Sequence, residues 1–221
     1  MWCIPEASAE YVACMEDVLD QYEQPCDPQR PLVCYDEGIK QLIQETRVGL
    51  PAKPGKLKRY DYEYERKGVR NLNFFFEPLI GHREVQITER RTMHDFAQNM
   101  KWLVDELHPE AQVIRVVMDN LNTHKPASLY EAFPPDEALR ILKKLEFHYT
   151  PKHGSWLNMA EIEWSVYSRS LPKYIPGDED LLIHIGALTN ERNGLEARVD
   201  WQFRTTHARI KLKQLYPSLS G

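Results

Sequence analysis

The 221-residue sequence is short of cysteine, of long apolar runs and of positive charge. Its four cysteines, Cys3, Cys14, Cys26 and Cys34, form no C-x-x-C pair and have no histidine at zinc-finger spacing. They read as free thiols of a reducing compartment rather than as a structural zinc site. No apolar stretch approaches the roughly 20 residues needed to cross a bilayer, which excludes a membrane helix. The first residues, MWCIPEASAEY, lack a basic region followed by an apolar one, so they do not read as a signal peptide, and the expected location is the cytoplasm. The net charge of −5 counts against a self-sufficient nucleic-acid binder, which shows a basic excess. It leaves room for an enzyme that cuts nucleic acid at clustered acids, with high-affinity DNA binding supplied by another domain. Internal repeats and low-complexity segments are also missing. What remains, 42% hydrophobic and 10% aromatic residues, suffices for one folded globular domain with a sizeable core.

The pattern is that of an α/β protein. Residues 5–22 predict an amphipathic helix, with Pro5 and Ser8 in its first turn and Tyr11, Met15, Val18 and Tyr22 on one face. The run 31–37, PLVCYDE, reads as a buried strand that ends on Asp36. A Pro/Gly/Lys loop at 49–59 carries Lys53, Lys56, Lys58 and Arg59, the densest basic cluster; a phosphate-contacting arm and a plain solvated loop fit it equally. Alternation in 59–68, 71–81 and 82–90 predicts strands with turns at Gly68 and at Gly81–His82. Phe74 to Phe76 read as sheet core rather than a base-stacking platform. Thr92 is placed to cap a helix through Leu107. Residues 112–120, QVIRVVMDN, form the strongest strand and run into Asp119. Helices follow over 121–133 and 134–145, then a short strand at 147–150, a turn at 151–155, and a helix that contains Glu161 and Glu163. A further helix at 175–193 and a basic tail with Arg204, Arg209, Lys211 and Lys213 close the chain.

Two adjacent parallel strands that end on acids would set Asp36 and Asp119 side by side at one sheet edge, where open α/β sheets place ligands. A third acid comes from the helix. Glu161 and Glu163, two apart, cannot share a face; the line Leu157, Ala160, Trp164 puts Glu161 nearer the buried stripe. Like charges about 4 Å apart repel by roughly 4 kcal/mol at an effective dielectric of about 20, so such a cluster holds protons or cations. Oxygen ligands alone suit magnesium or manganese. Each acid also has a plainer reading. Asp36 and Asp119 can be strand-end acids with Asn120 a turn residue, and both glutamates can be solvated.

The segments V-C-Y-D-E, V-M-D-N-L-N-T-H and Y-T-P-K-H-G-S-W-L-N-M-A-E-I-E-W resemble the catalytic core of the insertion-sequence branch of the Tc/mariner transposase superfamily. The resemblance runs from the first helix to the closing W-Q-F…A-R-I-K-L segment. It implies a ribonuclease-H-like fold, a mixed five-stranded sheet flanked by helices. It implies leading residues 1–30, a core at 31–172, and a helical extension of the same domain at 173–221. An Asp-Asp-Glu triad follows from it: Asp36, Asp119 and Glu161, catalytic and binding two magnesium ions for which manganese can substitute. Motif position selects Glu161, three residues after Asn158, in agreement with the helix-face reading. Asn120 and His124 match the D-N-x-x-x-H element and would shape the surroundings of the acids or contact DNA. Asn158 would cap or position the helix.

The implied activity is cleavage of DNA at transposon ends and joining of the freed 3′ hydroxyl to target DNA, by a homodimer on DNA. Full-length relatives carry an amino-terminal helix-turn-helix region, whereas this sequence starts at the helix leading into the core. Forty-one residues separate Asp119 from Glu161, more than the superfamily's usual spacing, with the excess in a surface helix region. Two rival readings share the fold: a remnant that occupies DNA or oligomerises without cutting, and a ribonuclease or junction resolvase.

Overall fold

The structure is a computed structural model, and residues 8–47, 51–57 and 63–217 are described. Cys3, Pro5, Lys58, Arg59, Tyr60 and Tyr62 lie outside the described residues.

Five strands form one mixed sheet: β1 (Leu32–Glu45), β2 (Tyr64–Glu77), β3 (His82–Thr88), β4 (Ile114–Met118) and β5 (Leu145–Tyr149). Their spatial order is β3-β2-β1-β4-β5. The β1–β2 and β2–β3 pairs are antiparallel, while β1–β4 and β4–β5 are parallel. The mixed five-stranded sheet expected from the sequence is therefore present.

Strand parity builds two cores. Leu32, Cys34, Phe74, Phe76 and Val117 point to one side of the sheet. There they meet α1 (Ala9–Glu23), α5 (Met159–Ser170), α6 (Asp178–Gly194) and α7 (Thr205–Lys211). Val33, Tyr35, Phe75, Val116 and Met118 point to the other. That layer contains α2 (Met93–Trp102), α3 (Ala127–Ala132) and α4 (Pro135–Leu142). Alternate residues of a strand face opposite layers, so each strand feeds both cores. Phe74, Phe75 and Phe76 are all fully buried, which is the core role rather than a stacking platform.

Local chemistry explains the helix starts. Ser8 accepts a hydrogen bond from the Tyr11 amide and opens α1. Thr92 and Asp95 form a reciprocal capping box on α2. A wider π turn at 103–107 ends that helix, with the His108 amide bonded to the Leu103 carbonyl.

Three sequence expectations change. β1 does not stop after Asp36; it runs on to Glu45 as half of a long hairpin with β2. Asp36 instead lies just beyond the last parallel pair, Cys34 with Val117. Gly68 is not a turn but lies within β2, beside a register shift at Leu42/Ile43, with φ +114° that favours glycine. Over 121–133 only Ala127–Ala132 is helical, after turns that include Pro126. The basic tail is docked on α1: Arg209 Nε and Nη2 each reach the Glu16 carboxylate at 2.8 Å, and the Tyr216 hydroxyl donates to it at 2.7 Å. Cys14, Cys26 and Cys34 are free thiols.

Candidate active site

The first two acids are brought together by sheet register. Cys34 pairs with Val117, so two residues further along each parallel strand Asp36 comes opposite Asp119. Asp36 shares strand parity with Cys34 and therefore faces the α5 layer.

The start of α5 is fixed against this point of β1. Asn158 is its N-cap: the side-chain carbonyl accepts the Ala160 amide at 3.1 Å, and the side-chain amide donates to the Tyr35 carbonyl at 2.7 Å. Asn158 is buried, so both bonds are shielded from water. The Tyr22 hydroxyl donates to the Leu157 carbonyl at 2.5 Å, tying α1 to the same turn. One turn into α5, Trp164 covers Gly38. A Cβ there would stand 2.4 Å from the indole ring. Gly38 is on the same strand face as Asp36, and Trp164 is on the same helix face as Glu161. The bare glycine thus lets the helix down onto the strand and aligns Glu161 with Asp36.

Electrostatics agree with that placement. Burial pushes the Asp36 carboxyl up to about 7; the Glu37 amide, donating at 2.8 Å, works against this, and the charges of Asp119, Glu161 and Glu37 add to the rise. Among the described residues no basic side chain pairs with Asp36 or Glu161. Nor, among them, do three His, Cys, Asp or Glu side chains converge closely enough to enclose a metal ion as they stand.

One expectation is overturned here. Glu161 is exposed, and the buried carboxylate of α5 is Glu163, with no exposed surface. Two nitrogens of Arg192 reach Glu163 at 2.9 and 2.6 Å, and Arg83 Nε lies 3.2 Å away. Leu157 belongs to a 3-10 turn at 155–157, not to the helix. The buried stripe of the helix proper is Met159, Ala160, Glu163 and Tyr167. Counting the helical period from Leu157 puts the stripe out of phase.

Asp119 does not stand alone. His124 Nδ1 lies 2.5 Å from Asp119 Oδ1, and His124 Nε2 lies 3.3 Å from Glu37 Oε1. His124 is almost wholly buried. Burial pulls its pKa down, but the hydrogen bond to Asp119 and the nearby Glu37 carboxylate outweigh this and hold it up at about 9. Glu37 also accepts the Tyr35 hydroxyl at 3.1 Å and pairs with Arg91 Nε at 2.6 Å. Sequence reading gave Glu37 no role. The available signal was parity: if Asp36 faces one layer, the next acid faces the other and needs a cation there.

A cleft of about 660 Å³ opens beside Asp119, lined by Asn120, Thr150, Lys152, His153, Ser155 and part of α1. Asn120 is exposed at its wall. His153 holds φ +65°, a left-handed conformation uncommon outside glycine. Lys53 and Lys56 are exposed and bonded to each other's backbone at 3.0 and 2.8 Å, outside this cleft.

Residues 31–181 match the DDE superfamily endonuclease family. This chain belongs to the DDE superfamily endonucleases. The matched segment of this DDE endonuclease domain contains all three acids. No curated protein matches the chain in sequence. Among solved structures, the Mos1 strand transfer complex is similar at 12% identity and TM-score 0.59, over 89% of this chain and 60% of that one. The Mos1 mariner paired end complex with Mn is similar at 15% identity and TM-score 0.57, over 89% and 60%. A Mos1 transposase paired-end complex with the left transposon end gives 14%, 0.51, 88% and 63%. These likenesses show the fold, a ribonuclease-H-like α/β domain. The DDE endonuclease chain spans about 60% of the Mos1 chains' length.

Proposed function

We propose that this chain is the catalytic domain of a DNA transposase: it cuts DNA at transposon ends in a divalent-metal-dependent reaction and joins the freed 3′ hydroxyl to target DNA. The observation that carries the reading is the trio of Asp36, Asp119 and Glu161. Register sets the first two opposite each other, the Gly38–Trp164 contact aligns the third, and no described cation neutralises Asp36 or Glu161. The structural neighbours, a Mos1 strand transfer complex and a Mos1 transposase paired-end complex with the left transposon end, support the same substrate class.

The donor set fits magnesium or manganese, because it offers carboxylate oxygens only and, among the described residues, no basic side chain pairs with Asp36 or Glu161. Asp36, Asp119 and Glu161 would hold the ions. When bound, such ions supply the positive charge that polarises the scissile phosphate and the attacking oxygen. The chain's own contribution is placement. Asp36 sits in a strand, Asp119 is held on its Oδ1 by His124, and Glu161 is one turn from the Asn158 cap. Lys152, Thr150 and Ser155 line the cleft beside Asp119 and offer donors to a DNA backbone entering there. Action as a homodimer on DNA belongs to the same reading.

The test is nicking of a labelled DNA duplex with magnesium or manganese, alongside a manganese titration followed by paramagnetic relaxation. Wild type should bind manganese and nick, and Asp119→Ala should do neither while melting cooperatively. Full cleavage by Asp119→Ala would sink the assignment. Failure of wild type to bind manganese at millimolar concentration would favour a non-cutting remnant that occupies DNA.

A further inference from the structure

The reading of Asp119 as a metal ligand leaves open what keeps its carboxylate aimed. β4 ends at Met118, so Asp119 lies past the last ladder pair, and its side chain is 37% exposed. A short exposed acid at a strand end has several rotamers unless something selects one. His124 is built to select one. Its ring is held against Phe96, with centroids 4.9 Å apart, and against the edge of Tyr35 at 5.4 Å. Its backbone carbonyl accepts the Tyr149 hydroxyl at 2.9 Å. The ring can therefore neither swing nor translate freely; Nδ1 is hydrogen-bonded to Asp119, and Nε2 lies 3.3 Å from the Glu37 carboxylate, an ion-pair contact outside hydrogen-bond geometry.

Glu37 is the far end of the chain of contacts. Its side chain is 5% exposed and held by Tyr35 and Arg91. It is adjacent to Asp36 in sequence but faces the opposite layer. β1 thus reaches the site twice, once directly through Asp36 and once through Glu37 and His124.

Resting on the transposase reading above, we propose that Glu37 is a positioning residue for metal binding: it fixes the His124 ring, and His124 commits Asp119 Oδ1, so that Oδ2 would remain available to a divalent cation. Glu37 is not itself a ligand, because its two oxygens are occupied by Tyr35, His124 and Arg91 on the far side of the sheet.

The proposal separates from simple charge effects by sign. A histidine that acted on the site only through its charge would oppose a divalent cation, so on that basis its removal would tighten binding. As a positioning group its removal weakens binding instead. Losing a group that orients a metal ligand costs about 10–100-fold in metal affinity. The experiment is a manganese titration by paramagnetic relaxation on the whole chain, with thermal melting in parallel. Variants are Glu37→Gln, His124→Ala, His124→Asn and the double Glu37→Gln/His124→Asn, with Asp119→Asn as the control.

His124→Ala and Glu37→Gln should each weaken manganese binding by about 10-fold or more. His124→Asn should recover part of the affinity, because its amide can still donate to Asp119. Adding Glu37→Gln to His124→Asn should change nothing further, because the link between the two is already cut. Unchanged or tighter binding in His124→Ala would overturn the proposal. So would a Glu37→Gln effect of equal size in both backgrounds, which would mean that Glu37 acts by its charge alone. If His124→Ala does not fold, the comparison of Glu37→Gln with and without His124→Asn decides. If wild type and Asp119→Asn bind alike, the transposase reading falls as well. If only Asp119→Asn loses binding, the reading stands and this proposal falls.

Discussion

Glu161 and Glu163 lie two residues apart on the same helix and live in opposite electrostatic worlds. Glu163 has no exposed surface and is gripped by Arg83 and Arg192. Glu161 is exposed, has no described cation partner, and faces a half-buried Asp36 whose proton it helps to retain. A buried carboxylate is tolerable only with its charge compensated. The fold supplies that compensation generously to one acid and withholds it from the other. The same division holds on β1, where Glu37 has Arg91 and His124 while Asp36, one residue earlier, has a backbone amide. Glu163 and Glu37 are compensated by arginine or histidine; of the three acids of the proposed site only Asp119 has such a partner, His124, while Asp36 and Glu161 have none among the described residues.

The sharpest way to break this comparison is to remove each glutamate in turn. Glu163→Ala strands Arg83, itself fully buried, without its carboxylate and should cost about 3–5 kcal/mol. Glu161→Gln removes an exposed acid with no partner and should change stability by no more than about 0.5 kcal/mol. Urea denaturation of the two variants reads the difference. Equal losses would mean that both acids are structural, and the division drawn here would fail.

Gly38→Ala should come next. The added carbon meets the Trp164 ring at 2.4 Å, and neither the strand nor the indole has an easy retreat. Overpacking of this kind costs about 1–3 kcal/mol. Its more telling effect is on the site. Lifting α5 off β1 carries Glu161 away from Asp36, and a displacement of about 1 Å can cost on the order of 100-fold in rate. Nicking should therefore fall far more than stability does. A variant that nicks at the wild-type rate would show that this contact does not set the position of Glu161.

Much of this arrangement was legible in the sequence because it follows from period and register. The apolar runs leading into Asp36 and Asp119, the α5 motif and the Asn158 position all rest on local patterns three to eight residues long, although β1 runs on past Asp36 to Glu45. What was misread needed partners far along the chain. Glu163 looks unfit for a buried stripe until Arg83, 80 residues earlier, and Arg192, 29 later, are placed beside it. The outer half of the β1–β2 hairpin has little core contact to impose alternation, so Gly68 read as a turn rather than as a residue inside β2. Glu37 was passed over because its partners, Arg91 and His124, come from the opposite layer.

Asn158→Ala tests the cap that places Glu161. It removes the acceptor for the Ala160 amide and leaves the buried Tyr35 carbonyl without its side-chain donor. Loss of a cap costs about 0.5–2 kcal/mol, and the orphaned carbonyl adds to that. A loss of about 2 kcal/mol by denaturation is expected. A neutral result would mean that Tyr22 and Trp164 hold the helix start without it.

The smallest effect concerns an acid on the structural side of the division, at the turn between β2 and β3. Glu77 is buried and contacts His82 Nδ1 at 2.9 Å; His108 Nε2 is 3.5 Å from its other oxygen, and Glu84 is 3.4 Å from His82 Nε2. Hydrogen bonds to Glu77 and then to Glu84 raise the His82 pKa to about 9, whereas burial pushes that of His108 down. His82 is therefore the cation that compensates Glu77. Its folded pKa lies above the unfolded value of about 6.5, so its contribution is complete below pH 6.5 and is lost as pH rises through about 9. With the ring 34% exposed, solvent screening leaves roughly 1 kcal/mol of the linkage. Denaturation midpoints taken between pH 6 and pH 10 should fall by that amount in wild type and by less in His82→Gln. If the two profiles run parallel, Glu77 is compensated some other way, and the rule that a buried structural acid keeps its own cation does not extend to this end of the sheet.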